Sequence, residues 1–389
     1  MDSNYILLAF GVVILLSYSF DHIGKRLNLP SVVLLLGAGM LVQPLLEHYS
    51  LQIPYIEIIL PTIGTLALLL IVLEGSLELT ISEQNKGVIF KTFLSSAIGV
   101  LLGSIAIGGL LIYLFDLPLK IAFVNAIPLS VISSAVAIPS VVHLRKADKD
   151  YVIYESTYSD ILGILLFNYV VFAETFTIKS AFTFSFSFLF IIVISIVCSL
   201  LLVFYLNNIK HHVRFLPIFA VILIAYAIAK SFHQSPLIII MIFGLTMNNT
   251  HLFIKGFLEN KFNTESLRLD LINFKMIGAE MVFILRTLFF LLFGFSIDLK
   301  LLLGWNNILL AIYVFIIIII LRVLTLSFIA RSQLKTLLFF APRGLITILL
   351  FLSIPPEYES PIVSEGVVTI IVLLTVFFMI FGSRFSSKT

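Results

Sequence analysis

Roughly thirteen apolar stretches follow one another along this chain with little polar sequence between them, and each is about long enough to cross a bilayer as a helix. They run over about 5–22, 31–46, 57–74, 87–115, 119–143, 153–175, 184–206, 215–231, 235–250, 280–297, 305–329, 335–354 and 365–382. Only 12% of the 389 residues are charged and 60% are hydrophobic, whereas a soluble domain carries roughly 25% charged residues. Lipid is therefore the expected solvent. Within lipid every backbone N–H and C=O must be satisfied internally, and helical runs of this length predict an all-α membrane protein. The run Tyr5 to Phe20 has no basic stretch before it and no small-residue cleavage site after it, so it is expected to be a retained helix.

The loops orient the spans. With the N-terminus outside, one side collects Lys25, Arg26, Lys86, Arg145, Lys146, Lys149, Lys210, Arg214 and most later loop cations. The other side collects little beyond Lys120, Lys179 and Lys300. That asymmetry follows the positive-inside rule and predicts a cell-membrane protein with its C-terminus in the cytoplasm. No soluble domain is expected, and 251–279 reads as a long loop with an interfacial helix. A net charge of +3 gives no case for nucleic-acid binding. Cys198 is alone and cannot form an internal disulfide.

Against this background two carboxylates stand out. Glu155 and Asp160 lie in YVIYESTYSDILGILLFNYVVFA, a span by every other measure. A carboxylate at bilayer depth costs at least ~3 kcal/mol, and such residues mark ion or proton pathways. Ser156 and Asp160 are four residues apart and share a helix face, while Glu155 and Asp160 point roughly 140° apart. One helix can thus offer Asp160 to an ion cavity and Glu155 to a structural partner.

Two spans are interrupted. The fifth, NAIPLSVISSAVAIPSVVHL, contains Pro128, Ser130, Ser133, Ser134 and Pro139. The twelfth, LLFFAPRGLITILLFLSIPP, contains Pro342 and Gly344 around Arg343. Irregular backbone at membrane depth requires cover from protein or a water-filled cavity. The two are seven spans apart, as expected if six spans repeat, inverted, around the seventh. Inverted repeats with paired broken helices place a transport site at the midplane. The alternative is a pair of ordinary proline kinks.

Six ionisable residues fall within spans: Glu74, Glu155, Asp160, Arg286, Arg322 and Arg343. Three acids and three bases balance, as burial demands. Arg322 can neutralise Glu155, Arg343 can offset half-helix ends, and Arg286 can line the cavity or snorkel. Hard cations take oxygen ligands, which Asp160, Ser156, Ser133 and freed carbonyls near Ser134 can supply. A proton and a cation would then compete for one carboxylate, giving obligatory exchange. The alternative is that Asp160 pairs permanently with an arginine.

At these residues the chain resembles the monovalent cation:proton antiporters. RLNLPSVVLLLGAGMLVQP is similar to the family's second helix and LALLLIVLEGSLEL to its third, with Glu74 at the acidic position. YESTYSDILG resembles the sixth-helix motif, RTLFFLLFGFSIDL the tenth and APRGLITILLFLSIP the twelfth. The resemblance implies thirteen helices in inverted six-helix repeats with two crossed broken helices. It implies a mobile core (about 57–175 and 280–382), a dimer scaffold (about 1–46 and 184–250) and elevator-like alternating access. It makes Asp160 the exchanging carboxylate, with Ser156, Ser133, Ser134 and Glu74 around the ion, and pairs Glu155 with Arg322. Ser159-Asp160 replaces the Asn-Asp of electroneutral members, and Ser133-Ser134-Ala135 replaces a Thr-Asp-Pro.

The expected function is therefore exchange of Na⁺, or of Li⁺ or K⁺, for H⁺, electroneutral and without a cofactor, by a homodimer. Two rivals stand beside it. One is an antiporter-fold carrier of organic anions, or a sensor, using Arg286, Arg322 and Arg343. The other is a membrane-embedded hydrolase, for which no nucleophile and base stand together in the sequence.

Overall fold

A computed structural model describes residues 3–27, 30–48, 56–79, 86–141, 143–173, 193, 195–197, 220, 222–224, 236–249 and 264–386. Among them every regular element is helical. The expected spans over 184–206 and 215–231 lie mostly outside the described residues, and Cys198 and 251–263 lie wholly outside them.

The helices follow the apolar runs: α1 Ser3–Leu27, α2 Ser31–His48, α3 Ile56–Glu78, α4 Lys86–Phe115, α5 Leu119–Ser130, α6 Ser134–Ser140, α7 Lys146–Phe172 and α8 Pro236–Asn248. They continue with α9 Thr264–Ser296, α10 Leu299–Leu303, α11 Trp305–Ile329, α12 Leu334–Leu337, α13 Leu345–Leu352 and α14 Glu365–Ser386. Among the described residues six helical segments are long and apolar enough to cross a membrane, including α5 and α6 taken together. The protein is a multi-pass membrane protein.

Several helices overrun their apolar runs, α7 and α9 the most at their starts. α9 begins at Thr264, so half of the expected 251–279 loop is helix, continuous with the span behind it. α7 begins at Lys146 and takes Asp148 into its first turn, where a carboxylate favours the helix N-terminus. Hydropathy ends where lipid ends; the backbone hydrogen-bond ladder need not.

The described chain divides into two compact units. The first comprises Met1–Leu68, Gly87–Gly163 and Phe283–Thr389; the second comprises Leu69–Lys86 and Ile164–Val282. In the second, the Asn248 and Asn249 side-chain amides donate to the Leu79 carbonyl at 3.1 and 2.9 Å, holding the end of α3 against the end of α8.

In the first unit α1 and α2 lie against α9. The Ser17 and Thr287 hydroxyls hydrogen-bond each other in the interior. A Cβ on Gly39 or on Gly294 would collide with the opposing backbone, at Leu291 O and Leu36 O respectively. The two helices thus meet backbone to backbone. Phe289, Phe290 and Phe293 of α9 are fully buried, and the rings of Phe289 and Phe293 stack at 6.0 Å.

Candidate functional site

The site forms where two apolar helical segments are interrupted. α5 ends at Ser130, Val131 is extended, and α6 begins only after Ser133, which is also extended. Pro128 and Pro139 sit inside the two half-helices rather than at the gap. The second interruption spans 338–344, between α12 and α13. The breaks are joined directly, since the Ser133 N–H donates to the Pro342 carbonyl at 2.9 Å.

This crossing needs room. A Cβ on Gly344 would stand 2.5 Å from Val136 Cγ2 and 3.0 Å from Ser133 Oγ. One on Gly163 of α7 would overlap Val131, and one on Gly103 of α4 would stand 2.8 Å from Ser130 Cβ. Glycines on three elements therefore let neighbouring chain close over the breaks. Gly344→Val should destabilise the protein by about 1–3 kcal/mol through overpacking, read as a lower melting temperature in detergent. Gly109→Ala on α4, where a Cβ meets nothing within 4 Å, should leave it unchanged or slightly higher.

The freed backbone groups are answered one by one. The Ile132 N–H donates to Ser159 Oγ at 2.9 Å, and the Ser134 N–H to Asp160 Oδ2 at 3.2 Å. On the other side Arg343 closes the end of α5, donating to the Leu129 and Ser130 carbonyls at 3.0 and 3.1 Å. It also reaches the Ala341 carbonyl, and its own N–H is taken by Thr375 Oγ1 at 3.0 Å. A cation at a helix C-terminus meets both the orphan carbonyls and the negative end of the dipole. Arg286, half-buried on α9, donates to the Ala135 carbonyl of α6 at 3.2 Å.

Glu155 and Arg322 are 1% and 6% exposed and form a bidentate pair. Ser95 donates to the same carboxylate, Ser96 to the Glu155 carbonyl, and Arg322 also to the Leu337 carbonyl. A buried pair with this many extra hydrogen bonds is one whose desolvation is largely offset.

Asp160 is treated differently. It is 4% exposed, and among the described residues no cationic side chain pairs with it. Oδ2 has the Ser134 amide, whereas Oδ1 has no partner, and Ser133 Oγ nearby is also buried without one. Ser156, one turn before Asp160, turns its hydroxyl to the Val152 carbonyl at 2.7 Å, leaving only an oxygen lone pair to offer. Glu74 stands half-buried on α3 in the second unit. Among the described residues no three His, Cys, Asp or Glu side chains cluster.

The hydroxyls of Ser95, Ser96, Ser159 and Thr375 serve the site without having been singled out as site residues from sequence. Isolated hydroxyls in apolar helices usually bond their own backbone, so composition carries little signal for them. Of these the sequence marks only Ser159, as the residue standing where electroneutral relatives carry Asn before Asp160.

The family described as "sodium/hydrogen exchanger, transmembrane" matches residues 11–386. No curated protein sequence matches the chain. Among solved structures, the fold is similar to that of the sodium proton antiporter MjNhaP1 from Methanocaldococcus jannaschii at pH 8. The TM-score is 0.76 at 18% identity, covering 100% of this chain and 99% of the other. A structure of the same antiporter from an electron-microscopy map gives 0.69 at 17% identity, covering 100% and 96%. At such identities the likeness establishes the antiporter fold.

Proposed function

The chain belongs to the sodium/hydrogen exchanger family, and from that premise we propose that it exchanges Na⁺ for H⁺ at Asp160. The observation that carries this reading is a buried carboxylate with one oxygen unpartnered, beside the unpartnered Ser133 hydroxyl, at the crossing of two broken helices. Among the described residues, the other charges expected within the membrane around the breaks are engaged. Glu155 and Arg322 hold each other, Arg343 holds carbonyls, and Arg286 reaches α6. Asp160 is left to take a guest, and a single carboxylate takes either a proton or a monovalent cation.

Loaded with either, Asp160 is neutral and passes an apolar barrier at little electrostatic cost; empty, it is charged and stalls. Ser133 and Ser156 supply further oxygens, and Ser134 steadies the carboxylate through its amide. With Ser159 beside Asp160 in place of a second acid, one cation moves against one proton and the cycle is electroneutral. Na⁺ is the first choice of cation, with Li⁺ and K⁺ as its competitors.

Alternating access follows an elevator course in a homodimer, with the part around 57–175 and 280–382 moving. That course requires the close seam of Gly39 and Gly294 to slide, because it joins stretches assigned to opposite parts. The protein sits in the cell membrane with its C-terminus in the cytoplasm.

The reading is tested by competition. In proteoliposomes with an internal pH dye, each unit of falling pH below the range where the carboxyl protonates should raise the apparent KM for Na⁺ about tenfold. The maximal rate should not change when the membrane potential is clamped at different values. An apparent KM independent of pH would overturn competition at a shared site, and a potential-dependent flux would overturn electroneutrality.

A further inference from the structure

Beside the crossing, within the first unit, lies a cavity of about 30 Å³, large enough for one or two water-sized guests. Asp160 is not part of its wall. The wall is built by Ser95 and Ser96 of α4, Ser130 at the end of α5, Ser159 of α7, Arg322 and Thr325 of α11, and Arg343, with glycine and apolar residues between them.

Its wall holds donors without partners. The Arg322 Nε is buried and has no hydrogen-bond partner. Thr325, 6% exposed, lies three residues on from Arg322 and shares its helix face. Ser159 Oγ accepts from the Ile132 N–H, so its own proton remains to be donated. Arg322 Nε, Thr325 and Ser159 thus leave donors for a guest, beside the Ser95, Ser96 and Ser130 oxygens, whose protons go to Glu155 and Ile127.

Charge tilts the same way. Glu155 answers Arg322, but the Arg343 guanidinium meets only the carbonyls of Leu129, Ser130 and Ala341. Two guanidinium groups thus border the cavity and one carboxylate neutralises one of them. In a poorly hydrated interior such an excess acts strongly on a small ion. The volume excludes organic anions.

We propose that this cavity binds a small monovalent inorganic anion of chloride's size, a resident counter-ion for Arg343. The proposal does not rest on the exchange reading, and its test needs no transport. The melting temperature of the purified protein in detergent is followed while gluconate is replaced by chloride or bromide at constant Na⁺ and ionic strength. Binding to the folded state should give a saturable rise of about 2 °C or more. Thr325→Val, of the same shape but without the donor, should lose the halide-dependent rise, and Thr325→Ser should keep it.

No halide-dependent rise in the parent, or an equal rise in a normally folded Thr325→Val, overturns the site and leaves Na⁺/H⁺ exchange untouched. Should Thr325→Val fail to fold, bromide-soaked crystals of the parent decide. An anomalous peak in the cavity supports the site, and its absence at saturating bromide removes it.

Discussion

Asp160→Asn should reduce Na⁺-driven proton movement in proteoliposomes to that of protein-free vesicles. The substitution keeps the shape and can keep the Ser134 N–H, but the amide neither releases a proton at working pH nor offers a charge to a cation. The loss should not come from unfolding. Asp160 is 4% exposed with an unpartnered oxygen and no pairing cation among the described residues, so its ionised form carries a desolvation cost that the amide relieves. The melting temperature of Asp160→Asn should therefore equal or exceed that of the parent. Undiminished exchange by the variant would remove Asp160 from the cycle. A sharply lower melting temperature would show that the carboxylate is a structural group.

Glu155→Ala is expected to do the opposite, costing the fold about 3–5 kcal/mol by leaving Arg322 charged and unpaired in the interior. Ser95 would lose its acceptor at the same time. The expected result is a melting temperature lower by several degrees or more and a poor yield. Arg322→Met should be similarly harmful alone. Glu155→Gln and Arg322→Met together should be less harmful than the sum of the same two changes made singly, because no buried charge is left without an answer. Strict additivity would mean that the pair contributes nothing as a pair.

The contrast between these two carboxylates is also the measure of what the sequence could say. Apolar run length placed α4 and α11 almost to the residue, because lipid forces helices wherever apolar sequence is long enough. Prolines and glycines located both interruptions, although the gap itself falls at 131–133 rather than at a proline. Helix periodicity separated the faces of Glu155 and Asp160, and charge balance limited their partners. Hydropathy could not see the start of α9, whose first turns are polar. Neither could it reveal that the Ser156 hydroxyl is spent on Val152, or that Ser95, Ser159 and Thr375 answer groups on other helices. Those facts depend on which atoms the crossing brings within 3 Å, which no linear pattern encodes.

The hydrogen bond from Ser133 to Pro342, with Arg343 fastened to the end of α5, ties both interruptions into a single cradle. If exchange runs as proposed, a cradle tied in this way would present the same oxygens to either compartment. Intrinsic affinity would then be equal on both sides, nothing in the binding step would rectify the traffic, and net flux would cease wherever the two chemical gradients cancel.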